Sequence, residues 1–116
     1  MNKSDIQERI KRIVPPLALC KAIPDGEFTE TVFSWHVNSN GIKQLSANSK
    51  LARECVDTRF VTIYPAPTLE EILLAISHCG ADFYDEGFTI EDKSYFYPTE
   101  TDTALQQWLQ IKGYRK

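Results

Sequence analysis

His36, the pair His78-Cys79, the carboxylates Asp82, Asp85 and Glu86, and a run of aromatic side chains between Phe83 and Tyr97 are the residues that could do chemistry. His36 lies beside Trp35 in an alternating stretch and could serve as a ligand or a general base, because imidazole titrates near neutrality. No second histidine or carboxylate stands at metal-ligand spacing from it. His78 and Cys79 invite a thiol–imidazole reading, but such a pair needs the base aimed at the sulfur. Successive residues on a helix do not face one another. They also fall at a predicted helix C-terminus, where partial negative charge raises a thiol pKa. That place suits His78 better as a donor to the last helical carbonyls. Asp82, Asp85 and Glu86 could hold a hard cation or act as acid and base. The calcium-loop spacing, with its central glycine and final glutamate, is missing.

The aromatic residues Phe83, Tyr84, Phe88, Tyr95, Phe96 and Tyr97 could form a stacking platform. Platforms for nucleic acid interleave aromatic with basic residues, and these neighbours are acidic. On a strand, Tyr95 and Tyr97 share one face and Phe96 takes the other. With the tyrosines outward, Tyr84, Tyr95, Tyr97, Asp85 and Glu86 would make a surface for a partner protein, since tyrosine is enriched at interface centres. With the tyrosines inward, the same residues are core. There is no glycine-rich phosphate loop, nucleophile elbow or zinc motif, so no catalytic, cofactor-binding or metal-ligating residue is assigned and no cofactor is expected.

Composition bounds these readings. The chain has 116 residues, 42% hydrophobic and 25% charged, which is a globular balance, and residues 1–116 are expected to form a single domain. No apolar run is long enough to span a bilayer, so no membrane partner is expected. Charge near Met1 without an apolar segment behind it argues against a signal peptide and for the cytoplasm. Cys20, Cys55 and Cys79 are odd in number and widely spaced, which fits free thiols packed as small hydrophobes. The net charge of −3 is unevenly spread. Asp82, Asp85, Glu86, Glu91, Asp92, Glu100 and Asp102 face only Lys93, whereas Lys3, Arg9, Lys11, Arg12 and Lys21 outnumber Asp5 and Glu8. The acidic flank could meet a basic partner, and it disfavours nucleic acid there. The basic helix near the start is a weaker route to nucleic acid.

The elements that would position these groups centre on residues 63–72. Phe60, Val61, Thr62, Ile63 and Tyr64 suit a strand. Pro65 and Pro67 should stop its ladder, having no N–H to give. Thr68 with Glu71 forms a capping box, and Leu69, Ile72, Leu73 and Ile76 recur at helical spacing, predicting a helix over 69–79 that ends at Gly80. Ser4 with Gln7 makes a second capping-box candidate, with Ile6, Ile10, Ile13 and Val14 as its stripe and Pro15-Pro16 as its stop. Residues 17–23 read equally as a short strand or one buried turn. Pro24-Asp25-Gly26 is a turn, and residues 29–37 alternate as a strand with Phe33, Trp35 and Val37 on one face and Val32, Ser34 and His36 on the other. Asn40-Gly41 predicts a hairpin into residues 42–45. Leu51, Ala52 and Cys55 could seat one helical turn, and residues 46–49 look like loop. Residues 81–84, 88–90 and 94–97 read as strands joined by turns at Asp85-Glu86-Gly87 and Glu91-Asp92-Lys93. Thr101 or Asp102 should cap a last helix, with Ala104, Leu105, Trp108 and Leu109 on its apolar side and Gly113 at its end.

Tyr64-Pro65-Ala66-Pro67-Thr68-Leu69-Glu70-Glu71-Ile72, the aromatic hairpin and Thr103-Ala104-Leu105-Gln106-Gln107-Trp108-Leu109 together resemble a group of small proteins of phages, prophages and mobile elements of Bacteroidetes bacteria. The likeness covers roughly residues 60–113, with a weaker echo at Phe33-Ser34-Trp35, and residues 38–59 depart from it. The group carries no established activity, so the resemblance implies fold and compartment and transfers no site residue. The expected architecture is α+β: a mainly antiparallel sheet of four to five strands packed with three helices. The expected function is non-catalytic, an accessory protein acting through a host or phage protein partner, with homo-oligomers also open. The alternative is a small enzyme or ligand-binding domain using His36 or the carboxylates at 82–86.

Overall fold

A computed structural model describes residues 3–47 and 61–114. Among them the chain runs α1 (Lys3–Lys11), α2 (Leu17–Cys20), β1 (Phe33–Asn38), β2 (Lys43–Ala47), β3 (Val61–Ala66), α3 (Leu69–Ser77), β4 (Asp82–Tyr84), β5 (Gly87–Ile90), β6 (Lys93–Phe96) and α4 (Thr101–Ile111). The fold is α+β and its strands are antiparallel, as the sequence predicts. The strands number six, however, and form two three-stranded sheets, ordered β2-β1-β3 and β4-β5-β6. The fourth helix is the single turn α2, which settles the strand-or-turn ambiguity at residues 17–23.

The junction between β3 and α3 is local and follows its sequence. Thr68 Oγ1 accepts the Glu71 N–H at 3.3 Å, and Glu71 Oε1 accepts the Thr68 N–H at 2.9 Å. Both halves of the capping box are therefore made. Gly80, at φ +84°, turns the chain out after the helix. One expectation fails here: β3 continues through Pro65 and Ala66, with Ser34 opposite Pro65. Among the described strands β3 is an edge, where a missing N–H can face away from the ladder.

α1 differs from its predicted capping. It begins at Lys3, so Ser4 lies inside it, and the Gln7 amide bonds across the fold to β2. Gln7 Nε2 donates to the Leu45 carbonyl at 2.7 Å, and the Leu45 N–H donates to Gln7 Oε1 at 2.9 Å. The stripe is only half used: Val14 is buried and Ile10 packs on the core, while Ile6 and Ile13 are exposed.

β1 starts at Phe33, four residues later than the alternation suggests, and Val32 is exposed outside it. The hairpin to β2 has four loop residues, with Gly41 at φ +82° and the Asn38 carboxamide accepting the N–H groups of Asn40 and Ile42. Ser46 and Ala47 belong to β2 and not to a loop. The expected turn at Leu51, Ala52 and Cys55, and Phe60 at the start of the predicted strand, lie outside the described residues.

Among the described residues, two clusters make the interior. The larger joins Leu19 and Ile23 to Ile72, Ile76, Phe88, Ile90, Ala104, Leu105, Trp108 and Leu109, with Tyr95 packed against it, so α3 and α4 pack through the predicted faces onto β5 and β6. Phe28 adopts φ +52°, a costly conformation for a bulky side chain, and its ring rests on Trp108 at 4.7 Å between centroids. The smaller cluster is Val14, Leu17, Cys20, Trp35, Leu45 and Ala66. α2 gives Leu17 and Cys20 to one cluster and Leu19 to the other, so this single turn ties the two together. α4 is capped by Glu100, one residue before the predicted positions, without a side-chain cap bond, and Thr101 is buried in its first turn. Gly113 ends it at φ +79°, and Tyr114 packs on Trp108. Arg115 and Lys116 lie outside the described residues.

Candidate functional site: the aromatic hairpin

Residues 82–97 form a three-stranded meander whose register decides which aromatic rings face inward. β4 pairs with β5 with Phe83 opposite Phe88, and β5 with β6 with Phe88 opposite Tyr95. Phe88 and Tyr95 of this row pack into the larger cluster, while Phe83 remains 45% exposed. Phe88 is fully buried, Tyr95 is half-buried and stacks on it at 5.1 Å and 15°, and Phe83 closes the row at 5.6 Å. The neighbouring row is Tyr84, Gly87 and Phe96. Here Tyr84 is 45% exposed and Phe96 78% exposed, more than any other large apolar side chain among the described residues.

Of the five residues proposed as a partner surface, four are exposed together at the β4–β5 turn: Tyr84, Asp85, Glu86 and Tyr97. The Tyr97 hydroxyl donates to the Tyr84 carbonyl, and its N–H donates to the Glu86 carbonyl at 3.3 Å. Tyr97 stacks parallel to Phe83 at 6.2 Å. Tyr95 is placed differently, its ring set against the core. Phe96 replaces it as the outward ring. Alternation separates Phe96 from Tyr95 and Tyr97 but does not say which side meets the helices.

Gly87 sits between Tyr84 and Phe96, and a Cβ there would overlap the Tyr95 carbonyl, so no side chain can fill that place. β5 and β6 are joined by a two-residue turn in which Glu91 and Asp92 both have positive φ, +49° and +69°. Such a turn matches the twist of the strands, but it is made here without glycine. The seven carboxylates from Asp82 to Asp102 are all exposed.

His36 Nε2 lies 3.0 Å from Ser34 Oγ, a pairing the sequence reading did not weigh although both residues share a strand face. Ser34 is fully buried, so its hydroxyl is closed to a substrate. His78 is exposed at the C-terminus of α3 and makes no side-chain bond to its last carbonyls. Cys79 donates its thiol to the Ala75 carbonyl at 3.4 Å. Cys20 is fully buried beside the Pro15 carbonyl, which also accepts the Trp35 indole N–H at 3.2 Å. Burial pushes the Cys20 thiol up to about 12, against a smaller lowering by the Trp35 hydrogen bond. Among the described residues no three His, Cys, Asp or Glu side chains gather as a metal site requires, and no helix is long and apolar enough to cross a membrane.

Two clefts lie along the seam between the clusters. One, of about 610 Å³, is lined by Lys11, Arg12, Thr68, Glu70, Glu100 and Asp102 among others. The second, of about 700 Å³, has Val14, Leu17 and Trp35 as its apolar wall and Lys11, Lys43 and Asp102 as its charged groups. Neither is lined by His36 or by Asp82, Asp85 or Glu86. No family model matches the chain, and neither a curated protein nor a solved structure matches it at a significant level.

Proposed function

We propose that this protein is a non-catalytic interaction protein whose β4-β5-β6 meander docks a partner protein through its outer face. The observation that carries this reading is the exposure of Phe96 and Tyr84 in one cross-strand row, rimmed by Asp82, Asp85 and Glu86. Large aromatic side chains contribute most at interface centres, and a pair held rigidly on a sheet loses little freedom when covered. The resemblance to mobile-element proteins of Bacteroidetes bacteria makes a host or phage protein in the cytoplasm the natural partner.

The test is a pull-down from host-cell lysate with wild type, Phe96→Ala and Leu74→Ala, each first shown folded by a thermal melt. Leu74 is exposed on α3 and serves as the control. The reading expects a captured protein that is lost with Phe96→Ala and kept with Leu74→Ala. Equal capture by all three would contradict it. A Tyr95→Ala variant tests packing and not docking, because that ring stacks on Phe88.

A further inference from the structure

The seam between the two clusters carries a cleft whose polar lining the protein itself leaves unsatisfied. The cleft of about 610 Å³ is lined by Thr68, Leu69 and Glu70 at the start of α3 and by Glu100, Thr101 and Asp102 at the start of α4. The two helix ends are finished differently. Thr68 and Glu71 close the first turn of α3 with a capping box, whereas Glu100 gives α4 no side-chain cap bond. An uncapped first turn presents N–H groups and partial positive charge to whatever lies beside it. Thr101 is a second and independent signal. It is only 7% exposed and lines the cleft, yet its hydroxyl has no hydrogen-bond partner among the described residues. A buried hydroxyl left unpaired is costly, and at the wall of a cleft it marks the place of a ligand atom.

The charges around that hydroxyl narrow the ligand. Lys11 and Arg12 line the cleft from the end of α1, opposed by Glu70, Glu100 and Asp102 from the two helix starts. Lys11 makes an exposed pair with Glu8 at 3.4 Å, and Arg12 has no ion pair among the described residues. A bare anion would meet three carboxylates here, and a bare cation would meet Lys11, Arg12 and the α4 N-terminus. A molecule with one charge of each sign meets neither penalty. Its body also has a place. Lys11, Val14 and Asp102 line the second cleft too, of about 700 Å³, so the two adjoin, and Leu17 and Trp35 extend the wall as apolar surface. Both volumes are those of small-molecule sites. We infer that the joined clefts bind a free α-amino acid with an apolar side chain. Its carboxylate takes the Thr101 hydroxyl, the open α4 N–H groups and Arg12, its ammonium takes Asp102, and its side chain lies toward Val14, Leu17 and Trp35. A segment inside a polypeptide is a poorer occupant, since it lacks both end charges. This site does not depend on the docking reading of the meander.

The probes are L-leucine and L-phenylalanine, titrated calorimetrically into the full chain, with the amide and the N-acetyl derivative of each run beside them. At least one free amino acid should bind at concentrations up to about 10 mM, which fill even a millimolar site. Its amide, which lacks the carboxylate, and its N-acetyl derivative, which lacks the ammonium, should each bind about ten-fold more weakly. Thr101→Val keeps the side-chain shape and removes the hydroxyl. It should weaken binding about ten-fold while melting no lower than wild type, because the hydroxyl bonds nothing in the free protein. Asp102→Asn should weaken the free amino acid and leave the N-acetyl derivative unaffected, since that derivative has no ammonium to lose. Binding of neither amino acid, or equal binding of the amides, would overturn the assignment and leave a cleft filled by water. A lower melt for Thr101→Val would show that its hydroxyl already has a partner, and would remove the observation on which the site rests.

Discussion

The two sheets of this protein are held in different ways. Behind β4-β5-β6 the cluster is large and continuous, with Trp108, Phe88, Ile72, Ile76, Leu105 and Leu109 all essentially sealed from water. Behind β2-β1-β3 the cluster has six buried residues among those described, joined by directed bonds. Gln7 clamps Leu45 with two hydrogen bonds, and the Trp35 indole reaches the Pro15 carbonyl. One region is stabilised by area, which is tolerant of detail. The other depends on a few polar contacts between residues far apart in sequence, where losing one partner strands the other.

Substitutions can break this comparison. Trp108→Ala should give the largest loss, about 3–5 kcal/mol, because it empties the centre of the larger cluster. Urea unfolding measures it, and a loss below about 1 kcal/mol would show that α4 is not docked as described. Alkaline pH sharpens the contrast from the other side. The folded state holds the Cys20 thiol at about 12 against an ordinary value of 9.0, so it keeps a proton that the unfolded chain releases. The thiol's contribution is constant below pH 9.0 and falls as pH rises from there towards 12. Wild type should therefore lose stability relative to Cys20→Ala, on the order of 2 kcal/mol by about pH 11. Parallel curves for the two proteins would contradict the sealed thiol.

Gln7→Ala removes two bonds to one edge strand and should cost about 1–2 kcal/mol, with faster hydrogen exchange at Leu45. An unchanged Leu45 amide would mean that α1 does not hold that edge. The smallest expected effect has the opposite sign. Asp92→Gly relieves a positive φ at the β5–β6 turn and should stabilise by about 0.5–1 kcal/mol in the same unfolding assay. Destabilisation would show that the Asp92 side chain contributes something its exposure does not suggest.

The same comparison explains what the sequence made legible. Thr68 and Glu71 are three residues apart, so their box is a local matter and reads directly. Helical spacing likewise picks out Ile72, Ile76, Leu105 and Trp108, because a large apolar cluster needs only the right stripe. Gln7 looks like a capping partner for Ser4 by the same local rule, but its partner Leu45 lies 38 residues away, beyond any spacing pattern. Pro65 looks like a stop because the edge position of β3 is a property of the assembled sheet. At the candidate site, alternation correctly divides Phe96 from Tyr95. Which of them faces water is decided only when α3 and α4 cover one side of the meander.

That division between an inner row that makes the fold and an outer row left for a partner is the central claim. Its most direct test is a side-by-side urea titration of Tyr95→Ala and Phe96→Ala. Tyr95→Ala should lose about 2–3 kcal/mol, since it takes the stacked ring off Phe88. Phe96→Ala should stay within about 0.5 kcal/mol of wild type. Equal losses in the two variants, or a larger loss for Phe96→Ala, would place Phe96 in the core and remove the docking face.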